Sequence, residues 1–434
     1  MAIIAQKRLF DWHEIEELGD LKRLQLVLEH LPDEKLMRSL EKRRGNGRND
    51  YPVRAVWNSI LAGVVYQHPS IESLRRELMR NGQLRWLCGF VGPVPPASVY
   101  SRFLRKLLAR RQQVEEMFHA LARDLQKELP GFGHTISLDG KALSSYARGR
   151  RHSPDSPERD GRKEQDANWG KHVYKGQHGD GSPWEKVKTW FGFTLHLAVD
   201  AEYELPVAYR VTAAATSEVV EGHRLVQQLQ EEHPGLLDGC DYWVADRGYD
   251  DSKLHRLLWD EHGIKSVIDI RNLWKDGEKT RLLTGQENVV YDYRGGVYCH
   301  CPQTNQVRAM AYGGFEKGRQ SLKYRCPARH YGLVCAGQEK CTVKGAFRIP
   351  LEENRRIFTP LARSSYRWKQ VYRKRTAVER VNSRLDTSFG FENHTIRGLE
   401  KMNLRCGLAL CVMLAMALGR IRTQEPEHMR SLVA

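Results

Sequence analysis

The chain has 434 residues, enough for two or three domains, and 41% of them are apolar. That content excludes a disordered polymer, and ordinary numbers of glycine (36) and proline (17) exclude a collagen-like or low-complexity chain. Lys and Arg number 69 against 53 Asp and Glu, which gives a net charge of +16. This basic excess favours an acidic partner, nucleic acid first and an anionic membrane surface second, although solubility alone is a third explanation.

The first 130 residues have the apolar spacing of helices, and we interpret residues 1–130 as one helical domain. Ser70 is placed to cap a helix that runs to about Arg80. A second helix, predicted to start at Ser98, carries Arg102, Lys106 and Arg110 at intervals of four residues, hence on one face. Two short helices, the second of them basic, suit a helix-turn-helix that binds DNA, but a solvated basic face is an equal alternative.

From residue 131 the pattern changes to strands alternating with helices, which predicts an α/β fold with a mixed sheet. A charged, glycine-rich segment from about Arg148 to Glu185 is predicted to be a mobile loop. The predicted elements are a strand at 135–138, a hairpin at 190–199 and 205–212, a helix at 217–232, and strands at 242–245 and 266–270. Residues 131–270 would form the first part of this core, and 359–434 would complete it with helices.

The longest apolar run, Cys406–Gly419, lies in these C-terminal helices. It is shorter than the ~20 residues that a membrane-spanning helix needs, so we predict a buried helix and no membrane association. The N-terminus lacks the apolar segment of a secretory signal, and we expect a cytoplasmic protein without disulfides.

Residues 271–358 are rich in turns and form a predicted insertion with little core of its own. Five of the nine cysteines lie there, at Cys299, Cys301, Cys326, Cys335 and Cys341. Four thiolates would make a closed structural zinc site, but the spacing is irregular. Ordinary buried thiols and, less favoured, an iron–sulfur cluster remain open. The other four cysteines are expected to be small core residues.

Two aspartates, Asp139 and Asp246, directly follow predicted strands. Chemistry in open sheets gathers at the carboxyl ends of strands, and two carboxylates there repel each other unless a cation lies between them. Mg²⁺ is the typical cation where phosphates are substrates. Taken singly, each aspartate is more often a turn or cap residue. Four further aspartates are weaker candidates with structural alternatives: Asp200, Asp241, Asp250 and Asp251.

A predicted helix from Tyr366 to Asp386 offers a third carboxylate. Its polar residues share one face because three or four positions separate each from the next: Tyr372, Arg375, Glu379, Asn382 and Asp386. The Arg375–Glu379 pair has a structural alternative as an ordinary surface ion pair. A carboxylate, a guanidinium and a phenol on one face also suit metal binding with phosphate contact.

Three segments resemble, in order, the signatures of bacterial insertion-sequence DDE transposases: Leu138-Asp139-Gly140-Lys141, Val244 to Asp250, and Tyr372-x2-Arg375-x3-Glu379. The last is the first part of a Tyr-Arg-Glu-Lys motif. Shorter similarities are found at residues 166–171, 190–193 and 211–214, and residues 51–107 resemble the helical domain that precedes the catalytic core in many of these enzymes.

The resemblance implies a ribonuclease-H-like core with a catalytic and metal-binding triad of Asp139, Asp246 and Glu379. Two Mg²⁺ ions, which Mn²⁺ can replace, would support DNA cleavage and strand transfer, and Tyr372 and Arg375 would contact the DNA phosphate. The implied partners are double-stranded DNA, as terminal inverted repeats and as target, and a second subunit in a homodimer or larger complex. The implied location is the bacterial cytoplasm, at the nucleoid.

One departure concerns the motif lysine, which is replaced here by Asp386. Either Arg384 or Arg380 would supply its function, or the function would be absent. The departure favours one alternative, a transposase-derived DNA-binding protein without catalysis. A nuclease of the same fold, which cuts without joining ends, is a second alternative that the sequence does not separate from a transposase.

Overall fold

The structure is a computed structural model that describes residues 18–44, 50–149, 164–343 and 345–431. Its N-terminal part is helical, as predicted, with α1 (Lys22–His30), α2 (Glu34–Arg44), α3 (Val53–Val65), α4 (Ile71–Arg80), α5 (Gly82–Leu87), α6 (Ala97–Leu108) and α7 (Arg111–Glu128). Ser70 caps α4 as expected, accepting a hydrogen bond from the Ser73 amide at 3.2 Å. Ser98 does not cap α6, because that helix begins one residue earlier, after Pro96.

A mixed six-stranded sheet forms the centre of the molecule and confirms the predicted α/β class. Its strands are β1 (Thr135–Ser144), β2 (Asn168–Gln177), β3 (Pro183–Asp200), β4 (Leu205–Ala213), β5 (Tyr242–Ala245) and β6 (Lys265–Ile268). The strands lie in the order β2-β3-β1-β5-β6, with β4 on the other side of β3. β1, β5 and β6 are parallel, whereas β1, β2 and β4 each pair with β3 in the antiparallel sense. The helices of the core include α8 (Glu218–Glu232), α9 (Pro234–Asp238) and α10 (Ser252–Arg256).

Part of the segment predicted as a mobile loop belongs to a β-ribbon. Residues 150–163 lie outside the described residues, but β2 and the first half of β3 pair from Asn168↔Gly192 to Gln177↔Pro183. Two of the pairs place a tryptophan ring over a glycine, Trp190 over Gly170 and Trp184 over Gly176. A Cβ at Gly170 would lie 2.3 Å from the Trp190 ring. The glycines that suggested a loop therefore make room for cross-strand aromatic packing.

The insertion consists of two small sheets with a hydrophobic core of their own, so the expectation of little core is wrong. One sheet contains β7 (Arg281–Leu282), β8 (Val289–Tyr291), β9 (Val297–His300) and β10 (Val307–Ala309). The other contains β11 (Ala311–Glu316), β12 (Ser321–Arg325) and β13 (Ala346–Pro350), and α11 (Pro327–Tyr331) follows β12. Fully buried members of this core include Tyr324, Ile349 and Phe358.

The predicted helix from Tyr366 to Asp386 is divided in two. α12 (Tyr366–Tyr372) ends in a 3-10 turn, Arg373–Arg375, after which α13 (Thr376–Phe389) continues. α13 stops at Gly390, whose φ of 57° is left-handed, and this glycine separates α13 from the last helix.

The last helix, α14 (Leu399–Arg422), has 24 residues and is longer than the apolar run suggested. By length and composition it could cross a membrane, so the length argument against a span fails. Its apolar residues are nevertheless buried in the protein, where α14 packs against α1, α3, α7 and β4. This burial is what a core helix requires, and one hydrophobic core runs from the N-terminal helices through α14 into the sheet.

Candidate active site

The parallel pairing of β1 with β5 brings Asp139 and Asp246 together. Leu138 pairs with Ala245, and in both segments the aspartate is the next residue along the chain. Asp139 lies within β1 rather than at its end, because β1 continues to Ser144 along β3. β5, by contrast, stops at Ala245. The two carboxylates therefore meet where the parallel part of the sheet ends, as predicted for a switch point.

Asp139 is half-buried among polar and charged side chains. Its Oδ2 accepts a hydrogen bond from Asn382 Nδ2 of α13 at 3.2 Å. Burial, and then the nearby charge of Asp246, raise the pKa of Asp139 to about 6, while Arg375 opposes the shift. A carboxylate in such surroundings is stabilised by any cation that binds between it and Asp246.

Asp246 has a second task besides its place beside Asp139. Its Oδ1 accepts a hydrogen bond from the Gly248 amide at 2.8 Å and so caps the short turn Arg247–Tyr249. The cap fixes the side chain at the carboxyl end of β5. A turn role and a metal role are compatible here, because the second carboxylate oxygen is not used by the cap.

Glu379 and Arg375 form an ion pair at the edge of the site. Arg375 Nη2 lies 2.7 Å from Glu379 Oε1, and the Glu379 side chain is 46% exposed. The Arg375 guanidinium lies 6.0 Å from the centre of the Tyr372 ring, which stacks on Trp368. The polar face predicted to contain Tyr372, Arg375 and Glu379 thus continues across the 3-10 turn. The partner of Glu379 is Arg375.

One face of β1 is aligned with α13 along several residues. Ser137 Oγ donates to the carbonyl oxygen of Arg375 at 3.1 Å, which fixes the 3-10 turn beside β1. Two positions beyond Asp139, Lys141 Nζ lies 2.5 Å from Asp386 Oδ2, and the Lys141 side chain is only 10% exposed. Asp386 of α13 therefore has a lysine ammonium beside it. This lysine belongs to β1 and not to the helix, where the motif would place it.

The replacements suggested for the motif lysine, Arg380 and Arg384, do not lie at the site. Both pair with Glu204, at 2.6 Å and 3.0 Å. That expectation is wrong, because these arginines project from another face of α13. The neighbour of Asp386 is Lys141, which no spacing within the helix could have indicated.

Sequence reasoning missed a further carboxylate, Glu218, at the first turn of α8. A Cβ placed on Gly140 would lie 3.2 Å from Glu218 Oε1, and one placed on Gly248 would lie 1.9 Å from Glu218 Oε2. Burial, followed by the charges of Asp246 and Asp139, raises the pKa of Glu218 to about 7. The only sequence signal was its position five residues after the end of β4, at the start of the next helix.

A cavity of about 550 Å³ opens beside Asp246 and Glu218. Basic and aromatic side chains line much of it, among them Trp169, Lys171, His172, Arg247 and Arg271. Basic groups around a carboxylate cluster would attract a polyanion that carries its own phosphates to the site.

The described residues contain no three His, Cys, Asp or Glu side chains that stand closely enough to hold a metal ion. Mg²⁺ does not require such a cluster, since it is usually bound by one or two carboxylates, water and substrate phosphate. Asp139 and Asp246 supply hard oxygen ligands, and Asn382 Oδ1 is buried next to them with no hydrogen-bond partner in the described chain. The residues present therefore suit a divalent cation.

The cysteine cluster of the insertion surrounds one small cavity. The Sγ atoms of Cys301 and Cys335 are 3.9 Å apart, and Asn288 Nδ2 donates to Cys341 Sγ at 3.2 Å. Burial raises the pKa of Cys299 to about 11, with the neighbouring cysteines adding to the shift. Outside the insertion, four cysteines are buried as predicted: Cys88, Cys240, Cys406 and Cys411.

The weaker aspartates have structural partners. Asp200 accepts hydrogen bonds from three backbone amides, including that of Gly133 at 2.7 Å. Asp250 pairs with Arg356 at 2.7 Å, and Asp251 caps α10. Asp241 precedes β5 and is exposed. None of these arrangements calls for a catalytic role.

The basic face predicted in the N-terminal domain is smaller than expected. Arg102 and Arg105 are exposed on α6, and Lys106 is half-buried. α6 ends at Leu108, so Arg110 is not on it, and the Arg110 guanidinium donates to Ser39 Oγ at 2.8 Å. Arg110 therefore ties α6 to α2 instead of extending the basic face.

A mixed sheet with carboxylates at the β1–β5 junction, an arginine beside them and basic surroundings suits a metal-dependent enzyme of phosphoryl transfer on nucleic acid. A family model described as a transposase DDE domain matches residues 155–415, more than half of the chain, and a model described as a transposase domain (DUF772) matches residues 10–106. The chain belongs to the DDE transposase family. It is an insertion-sequence DNA transposase that binds DNA and catalyses divalent-metal-dependent strand cleavage and strand transfer.

Among solved structures, the chain is similar to a piggyBac transposase synaptic complex with hairpin DNA, determined by cryo-electron microscopy. The identity is 12% and the TM-score 0.28, with 98% of this chain and 87% of that chain covered. A TM-score of this size supports no inference. A search of curated proteins found no match.

Proposed function

We propose that this transposase acts on the terminal inverted repeats of its own element, and that Asp139, Asp246 and Glu379 are its metal-binding triad. Two Mg²⁺ ions, or Mn²⁺ in their place, are the proposed cofactors. The observation that carries this assignment is the parallel pairing of β1 with β5, which sets two carboxylates side by side opposite the helix that bears Glu379.

The ions would supply Lewis acidity at the phosphate and an activated water for the first cut. The protein's own groups position the substrate. Asn382 orients Asp139, and Ser137 anchors the turn that carries Arg375. To hold a cation, Glu379 would give up Arg375; the pair is partly exposed, and an i,i+4 pair of this kind contributes only about 0.3–0.5 kcal/mol. The released Arg375 guanidinium, together with the Tyr372 hydroxyl, can then contact a phosphate oxygen.

The Lys141–Asp386 pair bears on the first alternative, a DNA-binding protein without catalysis. Asp386 in place of lysine was the feature that favoured it. Lys141, at 2.5 Å from Asp386, nevertheless stands beside the site, where its ammonium would be free for DNA once a phosphate replaces the Asp386 carboxylate. This arrangement supports an active enzyme in which β1 supplies the cation that the helix lacks.

The assignment is tested with the full-length protein and DNA that contains the element's ends. Asp139→Ala, Asp246→Ala and Glu379→Ala should each reduce cleavage by at least about 10³-fold, since each removes a metal ligand, while DNA binding persists. Asp238→Ala, an exposed aspartate on α9, is the matched control. Near-normal cleavage by any of the three variants removes that residue from the triad. Joining of pre-nicked ends separates a transposase from a nuclease of this fold.

The proposed assembly is a homodimer or larger complex, because two transposon ends must be brought together. Light scattering of the protein with and without end DNA tests it, and a complex with one subunit per pair of ends would contradict it. The proposed location is the bacterial cytoplasm, at the nucleoid.

For the insertion we propose a structural Zn²⁺ that would draw together four of the five clustered cysteines, since no three of them stand closely enough in the described residues to hold an ion. Two thiolates on one tetrahedral zinc stand ~3.8 Å apart, close to the 3.9 Å between Cys301 and Cys335 Sγ. Because the insertion has its own core, zinc loss should loosen the cysteine end without unfolding the subdomain. Elemental analysis should find about one zinc per chain, lost in Cys335→Ser and retained in Cys88→Ser. A zinc-free wild type would leave the cysteines as ordinary thiols.

A further inference from the structure

The carboxylate of Glu218 occupies a space that two glycines leave open. Gly140 directly follows Asp139 on β1, and Gly248 lies two residues after Asp246. A Cβ on Gly248 would come within 1.9 Å of Glu218 Oε2 and 2.9 Å of Asp246 Oδ1. Any larger side chain at this position would displace one of the two carboxylates. The local chain is thus shaped to admit Glu218 to the place where Asp139 and Asp246 meet.

Glu218 differs from the next acidic residue of α8 in its partners. Glu221, one turn later, is fully buried and pairs with Arg210 at 2.7 Å and Arg224 at 2.6 Å. The Glu218 side chain is half-buried and, within the described part of the chain, forms no ion pair or hydrogen bond. Arg271 lines the same cavity, but its guanidinium donates to the Asp250 carbonyl oxygen at 2.9 Å.

Glu218 thus faces the same partly dehydrated space as Asp246 and Asp139, and carboxylates so placed repel one another unless a cation lies among them. In the described residues the three do not stand closely enough to enclose an ion, so a bound cation would draw them together. Two arginines pair directly with Glu221, whereas Glu218 has only the charge of Arg271 near it, without an ion pair in the described residues. We infer that Glu218 is a fourth carboxylate of the metal site and holds a divalent cation together with Asp139 and Asp246. This inference rests on the proposed function, since it takes the two aspartates as metal ligands.

A structural explanation for Glu218 also exists. An acidic residue in the first turn of a helix interacts favourably with the helix dipole, and Glu218 is the first residue of α8. That role needs a negative charge near the helix end, but it does not depend on the length of the side chain. Glu218→Asp keeps the charge and shortens the side chain by one methylene, so it separates the two roles.

The experiment measures Mn²⁺ binding to the full-length protein by electron paramagnetic resonance at pH 8, without DNA. Glu218→Gln and Glu218→Asp should both weaken binding at least about tenfold. Asp246→Asn is the benchmark for a lost ligand. Glu231→Gln, the same change on an exposed residue of α8, should alter affinity less than twofold. Thermal melting with and without Mn²⁺ gives a second readout, in which both Glu218 variants should gain less from the metal than wild type does.

Wild-type Mn²⁺ affinity in Glu218→Gln, with Asp246→Asn impaired, would overturn the inference and leave the triad intact. Weak binding by Glu218→Gln together with normal binding by Glu218→Asp would also overturn it, in favour of the helix-dipole role. If Asp246→Asn bound Mn²⁺ as wild type does, the proposed triad itself would fall, so the two failures are distinguishable.

Discussion

Arg375 lies between Glu379 and the aspartates of β1 and β5, and its substitution tests whether it contacts the phosphate. Lysine keeps the charge but loses the two-pronged geometry of the guanidinium. Each lost charge-assisted hydrogen bond costs about 1.5–3 kcal/mol, so Arg375→Lys should slow the reaction roughly tenfold to hundredfold. Single-turnover cleavage and joining at saturating Mg²⁺ measures this.

The control for Arg375 is Arg380→Lys, five residues along the chain. Arg380 pairs with Glu204 on another face and should be replaceable with less than about twofold effect. Tyr372→Phe should have an intermediate effect, since it removes only a neutral donor. Near-wild-type rates in Arg375→Lys would mean that the Arg375–Glu379 contact is a surface ion pair alone.

The raised pKa of Asp139 predicts a pH dependence in the metal-free protein. The unfolded chain loses this proton near pH 3.8, whereas the folded protein retains it to about pH 6. The proton's contribution to stability is therefore complete below pH 3.8 and is lost as the pH rises to about 6. Asp139→Asn mimics the protonated form, so its melting temperature should exceed that of wild type by a few degrees at pH 7.5 and by little at pH 4.

Calorimetry in the presence of a chelator checks this dependence. An equal gain at both pH values would show that the amide introduced by Asp139→Asn stabilises the protein by packing and not by removing a buried charge. Added Mg²⁺ should cancel the advantage of Asp139→Asn, because the ion requires the ionised carboxylate.

At this scale the sequence predicted Asp139, Asp246 and the Arg375–Glu379 pair, because each stands at a recognisable place on a strand or a helix face. Glu218 and Lys141 could not be predicted in the same way. Glu218 looks like an ordinary first-turn acid until α8 is packed over Gly140 and Gly248. Lys141 meets Asp386 only because β1 runs along α13, a contact between residues far apart in sequence.

Among the elements, α6 is the one whose sequence and exposure favour DNA contact. Arg102→Ala with Arg105→Ala, made in the full chain, should weaken binding to DNA ends and reduce the slope of log affinity against log salt by about 2, since each phosphate contact contributes about 0.9. Lys127→Ala with Lys35→Ala removes two exposed charges from other helices and is the matched control. Equal slopes for both double variants would assign the DNA contact to another element.

The β2–β3 ribbon shows where element prediction failed. Glycine, lysine and aspartate in the segment are typical of loops, and no alternation of apolar residues marks the strands. The ribbon is stabilised instead by pairs such as Trp190 over Gly170, which depend on the register of two strands and are invisible along one of them. Where apolar residues dominate a strand, as in β4 and β5, the sequence was sufficient.

On the scale of the whole molecule, α14 connects the N-terminal helices to the catalytic sheet. Gly407 marks the crossing: a Cβ there would lie 2.6 Å from Tyr209 Oη of β4 and 3.4 Å from Val114 of α7. The sequence predicted that this helix is buried. It did not predict that α14 packs against both the N-terminal helices and the sheet, because only the folded structure shows which elements lie on each side of it.

Leu410 tests this connection, since it is fully buried in the core that runs through both parts. Leu410→Ala should destabilise the protein by about 2–5 kcal/mol, and DNA binding and metal-dependent cleavage should be lost at the same, lower temperature. Ile349→Ala, in the separate core of the insertion, is the matched substitution and should leave DNA binding unchanged at that temperature. DNA binding and cleavage are measured in parallel during heating, to show whether both are lost at one temperature. If Leu410→Ala lost cleavage while DNA binding persisted as in wild type, the N-terminal helices would be an independent unit, and α14 would belong to the catalytic core alone.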